Sequence, residues 1–278
     1  MTALNALNGS NALTVRVEPA AGLRVAAVTA ALATLPLSYR EAGRDAEVVV
    51  VSGEPGWDER VRAAARTGAR GVLVKDPVPL PTAATLQAEV PDCVIVLAET
   101  WASHPLLRSA AEQFAEPIGR AHLIDARSVE PATGRSLRAV LFAQLRAVQN
   151  LGIGVVSLAI AAETPSSILG VGRSASGARI ALSAARSDTS DGSLDLLLVG
   201  RAETIRLALS DSGAVRPGRA MLTSEADAHE LPTAWQSPLR TSLLALHDAL
   251  STGTPTDQLR EFTEAAVLLD PGAGPSAG

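Results

Sequence analysis

The sequence is poor in aromatic side chains, cysteine and lysine, and each shortage excludes something. Aromatics make up 3% of the 278 residues, so a core has to be filled by Ala, Val and Leu. A single cysteine, Cys93, excludes an intramolecular disulfide and any cysteine-rich metal site. Lysine is almost absent and arginine is scattered. With a formal charge of −5, no basic face able to displace counterions from nucleic acid is expected. No run reaches the roughly 18–20 uninterrupted apolar residues of a membrane-spanning helix. Residues 1–11 hold neither basic residues nor the apolar core of a signal peptide. The cytoplasm is therefore the expected location, with neither membrane nor nucleic acid as a partner.

What is present is an apolar fraction of 47% against 19% charged residues, the balance of a globular chain. Residues 1–13 and 271–278 are small and polar and are expected to be disordered. Between them, residues 14–18 (TVRVE) alternate like a short strand, and residues 22–35 read as an Ala-rich helix ended by Pro36. Continuous β-branched or aliphatic runs at 47–51, 71–74 and 93–97 suit strands buried on both faces. Helical segments at 57–67 and 81–89 separate them, and Gly68 sits at a helix stop. This β-α-β-α-β alternation predicts a doubly wound parallel sheet, a truncated Rossmann-like domain over 14–118.

The pattern changes in 119–270, which reads as an α+β domain with a mostly antiparallel sheet. Residues 121–129 alternate with period two, as a half-exposed antiparallel strand does. Ser136 is placed to cap a long helix whose stripe is Leu137, Val140, Leu141, Leu145 and Val148. Further strands are expected at 177–186, 194–199 and 204–209. Ser237 and Pro238 open a helix to Leu250, Gly253 ends it, and a last helix covers 257–269.

Three segments, in order, carry a resemblance. Residues 68–77 (GARGVLVKDP) resemble the G-K-H-V-L-V-E-K-P strand end of the glucose–fructose oxidoreductase / inositol dehydrogenase / MocA family. Residues 96–105 (VLAETWASHP) and 118–127 (IGRAHLIDAR) are similar to its A-E-N-W-R-x-x-P segment and to the start of its C-terminal sheet. Residues 194–209 resemble its strand–Gly–strand unit, with the turn near Gly200.

The resemblance implies an NAD(P)-dependent oxidoreductase, yet this chain departs from it at each chemical position. A G-x-G-x-x-G turn should follow the first strand to receive the cofactor pyrophosphate. Here residues 18–23 read EPAAGL, with one glycine, Gly22, and the carboxylate of Glu18. The stretch before Glu47 has room for one helix, and no acidic ribose reader is evident; Asp45 lies too near the next strand. Aligned on Pro77, Lys75 falls at the family's glutamate and Asp76 at its catalytic lysine. A carboxylate cannot replace an ammonium that stabilises developing negative charge. Pro77 should also hold Asp76 extended. Where the family has D-x-G-x-H, residues 150–154 read NLGIG, so Asn150 stands for the aspartate and Gly154 for the histidine.

These departures together predict a degenerate relative without hydride transfer and with no cofactor; NAD or NADP would follow only if the lesions are not real. The expected role is a partner or scaffold subunit, or a small-metabolite binder. It would form a homo- or hetero-oligomer, with an intact paralogue as one choice, through the C-terminal sheet. The alternative is a diverged reductase or non-redox enzyme. Candidate ligand residues are Lys75, Glu99, Trp101 and Asn150. Blander readings remain beside these. Lys75 serves as a structural cation, Cys93 as a core residue, and His104, His122, His229 and His247 as caps or surface groups. Gly152-x-Gly154 and Gly170-x-Gly172 are not followed by the strand-to-helix context that a phosphate loop needs.

Overall fold

The computed structural model describes residues 12–19, 25–43, 45–80, 82–189, 192–210, 217–253 and 258–269. Residues 1–11 and 271–278 therefore lie outside the described residues, as does most of the turn at 18–23. The chain divides into two compact units. The first comprises the described residues within Met1–Ala98 and Ser242–Leu259. The second comprises those within Glu99–Thr241 and Arg260–Gly278.

The first unit alternates strand and helix: β1 (Leu13–Val17), α1 (Val25–Ala33), β2 (Tyr39–Glu41), β3 (Val48–Ser52), α2 (Trp57–Arg66), β4 (Gly71–Lys75), α3 (Ala83–Glu89) and β5 (Val94–Ala98). The strands form one sheet in the order β2-β1-β3-β4-β5, and every pairing is parallel. Val48, Val49, Val50 and Val51 are all buried, because a central parallel strand has both faces covered. Sequence alone did not reveal β2. It is three residues long with one buried side chain, Tyr39, too short to show a period. Tyr39 is held from a distance: its hydroxyl donates to the Leu243 carbonyl at 2.6 Å.

The second unit begins with α4 (Pro105–Gln113), α5 (Ala115–Gly119), β6 (Leu123–Pro131) and α6 (Leu137–Asn150). It continues with seven strands: β7 (Val155–Glu163), β8 (Ser167–Ser174), β9 (Arg179–Ser187), β10 (Ser193–Val199), β11 (Glu203–Ser210), β12 (Arg219–Ser224) and β13 (Ala228–Glu230). Helices α7 (Pro238–Thr252) and α8 (Gln258–Leu269) close the described chain. The strands run in the order β13-β12-β11-β10-β6-β9-β8-β7, and only β6–β9 is parallel. The expected half-exposed strand is thus an interior one, antiparallel to β10 and parallel to β9. The hairpin β7–β8 and the strands β12 and β13 add to the strands legible in the sequence. The fold class is the expected one, a doubly wound parallel sheet followed by an α+β unit with a mostly antiparallel sheet.

Helix α6 begins as its sequence predicts, with Ser136 Oγ accepting the Ala139 N–H at 3.2 Å. It covers one face of the large sheet: Gln144 Nε2 donates to Ser128 Oγ and to the Ser183 carbonyl. Phe142 meets Phe262 of α8 edge-to-face, centroids 4.9 Å apart. The two glycine pairs have structural roles. Gly152, at φ +82°, ends α6 in a left-handed conformation. A Cβ on Gly172 would stand 2.1 Å from the Ser157 carbonyl oxygen, at an irregular stretch of the β7–β8 pairing.

Among the described residues no helix is long and apolar enough to cross a membrane.

Candidate functional site

In an open parallel sheet, ligands gather outside the carboxyl ends of the strands, at the point where strand order reverses. Here that point lies between β1 and β3. Strand β2 puts Glu41 at its carboxyl end, and Glu41 is exposed. A carboxylate thus stands at the carboxyl end of β2, where none was evident from the sequence. Its signal in the sequence was the distance of about 20 residues from Gly22. Glu18 follows β1, half-buried, and accepts from Arg16 Nη2 at 3.2 Å.

Lys75, the chain's one lysine, ends β4. Its ammonium is paired to the carboxylate of Asp76, and both side chains are largely buried. Pro77 does not hold Asp76 extended: Asp76 has φ +51°, the one non-glycine residue with positive φ among the described residues. Backbone bonds over-determine the corner. Gly53 N–H donates to the Lys75 carbonyl at 2.7 Å, Val78 N–H to the Gly53 carbonyl at 2.8 Å, and Asp76 N–H to the Ala98 carbonyl at 3.0 Å. Aspartate is among the residues that tolerate this conformation, and such strain concentrates at functional corners.

Glu99, Trp101, Asn150 and Gly154 lie in the second unit. Glu99 is buried and held bidentately by Arg146 of α6, Nε–Oε1 at 3.1 Å and Nη2–Oε2 at 3.2 Å. Arg146 also donates to Gln149 Oε1 at 3.3 Å, and its carbonyl accepts Asn150 Nδ2 at 3.0 Å. Glu99 and Asn150 are therefore drawn together by one helix turn, and each is already engaged. Trp101 is elsewhere, fully buried under the guanidinium of Arg135, 4.8 Å from the ring centroid. Its indole N–H has no acceptor among the described residues. Gly154 is exposed beyond the end of α6. Sequence reasoning missed Arg146 and Arg135, because interior positions of a helix and loop give no sign of which carboxylate or ring they will meet.

The histidines stay apart. His104 is buried at the N-cap of α4, where Nδ1 accepts the Leu106 N–H at 3.2 Å. His247 meets Tyr39 edge-on and His229 meets Phe114. Cys93 is buried, and burial pushes its thiol up to about 11. Burial also pushes His104 down to about 4, because the cation has nothing to replace its water. The neutral form is thus favoured on folding. The associated stability, about 3 kcal/mol, is present above pH 6.5 and is lost as pH falls from 6.5 towards 4. Urea unfolding at pH 7 and pH 4.5 should show this loss, and His104→Asn, which keeps a cap acceptor, should remove most of it. Equal losses in both proteins would refute the assignment.

No family model and no curated protein sequence matches the chain. Solved structures do. A lysine-to-glutamate variant of a 3-ketoreductase from Actinomadura kijaniata, in complex with TDP-benzene and NADP, is 17% identical, with a TM-score of 0.74 over 94% of this chain and 96% of that one. An oxidoreductase from Pseudomonas syringae is 10% identical, with a TM-score of 0.72 over 93% and 94%. The UDP-N-acetylglucosamine 3-dehydrogenase of Acidithiobacillus ferrooxidans is 13% identical, with a TM-score of 0.64 over 94% and 98%. Across nearly its whole described length, the chain has the fold of these oxidoreductases.

Proposed function

We propose that this chain is a degenerate relative of such oxidoreductases. It retains the fold, lacks hydride transfer, and acts as a partner or scaffold subunit or as a small-metabolite binder. The observation that carries this reading is the Lys75–Asp76 corner. The position that should present an ammonium to a substrate presents a carboxylate, and that carboxylate engages the chain's single lysine. A nicotinamide dinucleotide would also need positive potential where its pyrophosphate arrives. The Glu18 carboxylate stands at the end of β1 instead. The residues present do not fit the group.

One observation favours the alternative of a diverged reductase: Glu41 stands at the carboxyl end of β2, where a ribose diol can be read. Titration with NADH and NADPH, followed by fluorescence or calorimetry, separates the two. The degenerate reading expects no saturable binding below millimolar concentration. Micromolar binding of either nucleotide would overturn it.

The subunit role rests on the open face of the large sheet. Val129, Leu169, Val171 and Met221 are exposed there, and the cross-strand register runs Val171, Ala181, Asp125, Leu197, Arg206 and Met221 in one row, apolar side chains interrupted by one carboxylate and one guanidinium. Light scattering should find an oligomer that Val171→Glu dissociates without loss of the unfolding midpoint; a stable monomer of the unaltered chain would argue against this role.

A further inference from the structure

We propose a small-molecule site within the second unit, beside the turn that follows α6. A cavity of about 340 Å³ opens there, between α4 and α5 on one side and the α6–β7 and β8–β9 turns on the other. That is within the size range of small-ligand sites. It is independent of the Lys75–Asp76 corner and of any nucleotide.

Three glycines line the space, and the backbone requires only one of them. Gly152 needs its glycine, at φ +82°. Gly119 and Gly154 do not, since neither has φ in the left-handed region. A Cβ on Gly119 would meet nothing within 4 Å, and one on Gly154 would meet only the Ala175 Cβ at an ordinary 3.5 Å. Both glycines are exposed where they border the space, which is walled by the apolar side chains of Ile118, Ile124 and Ile153. Such walls forgo dispersion contacts that a ligand would supply.

One polar group is aligned with this space. Ser174 and Ser176 both line it, with their hydroxyl oxygens 2.8 Å apart. Ser174 Oγ, on a buried residue, also accepts the Ala178 N–H at 2.9 Å. Two hydroxyl protons serve one bond between them, so one donor is left for a ligand acceptor. Among the described residues no charged side chain lines the cavity. The site therefore suits a compact, uncharged, mostly apolar molecule with one acceptor oxygen, such as a small ketone. It disfavours phosphorylated or carboxylated metabolites, whose charge would be left unpaired.

The test uses the full chain with labelled isoleucine methyls and acetophenone as the probe. Saturable shifts at millimolar concentration are expected, confined to Ile118, Ile124 and Ile153. Benzoate, similar in shape but charged, should produce none. Gly154→Leu should fill the space and abolish the shifts, and Gly119→Leu should do so from the α5 side if the first variant does not fold. Ser176→Ala should weaken acetophenone about fivefold, the loss of one hydrogen bond, and leave ethylbenzene unchanged. Non-saturating shifts, shifts spread across other isoleucines, equal binding of benzoate, or full binding in a folded filled variant would each overturn the proposal.

Discussion

Replacing Arg146 by alanine is expected to cost about 3–5 kcal/mol, enough to unfold a marginal domain at ordinary temperature. The reason is what remains. Glu99 is left in a site only 8% exposed, without the two guanidinium bonds that compensate its lost water. The helix end weakens as well, because Arg146 also holds Gln149. The Coulombic attraction is not itself the source of the stability. Replacing both partners with apolar residues of similar size, Glu99→Leu with Arg146→Met, should recover most of the loss. Denaturant unfolding of the single and double variants measures the difference. A single variant within about 0.5 kcal/mol of the parent would show that water already reaches Glu99. The experiment also bears on function. A carboxylate whose partner can be removed with its charge has a structural role and is not held ready for a ligand.

The second large effect is expected at a glycine. A Cβ on Gly53 would stand 2.4 Å from the Asp76 carbonyl carbon and from two backbone atoms of Pro77. These are main-chain atoms, fixed by the bonds between Gly53, Lys75 and Val78, and they cannot swing aside as a side-chain tip can. Gly53→Ala should therefore destabilise by about 3 kcal/mol, at the upper end of overpacking. It should also displace the Lys75–Asp76 corner, which reductive methylation of the chain's single lysine, observed by NMR, would report. Gly43→Ala is the control. Nothing lies within 4 Å of its Cβ, so it should be neutral or slightly stabilising. Similar small effects at both glycines would mean that the strand end yields, and that Asp76 is not fixed in its left-handed conformation by its neighbours.

Much of the architecture was legible because it rests on local patterns. The run at 48–51 is valine throughout, the pattern of a strand covered on both faces. Ser136 and Ser237 were readable as caps, since a hydroxyl three residues before a free N–H needs no tertiary partner. What escaped was short or weakly patterned. In β2, Tyr39 is fixed by the Leu243 carbonyl, 204 residues away, so nothing nearby marks it as a strand. The hairpin β7–β8 left a fainter trace, two runs around Pro165, and the two glycines in β8 obscured it. Its edge strand β7 carries mostly exposed small residues, so no alternation showed.

The candidate site divides along the same line. Sequence alone determined which residue types stand at the positions the resemblance points to: Asp76 beside Lys75, one glycine after β1, Gly154 beyond α6. Composition is a property of the chain and needs no partner. Only the tertiary structure decided what those groups do. It paired Lys75 with Asp76 on a left-handed corner against Gly53, gave Glu99 to Arg146, buried Trp101 under Arg135, and set Glu41 at the end of β2. Each is a contact or placement fixed by residues distant in sequence or by neighbouring strands. The identity of such partners is a result of folding, because burial selects whichever group can compensate a charge or a ring once water has gone.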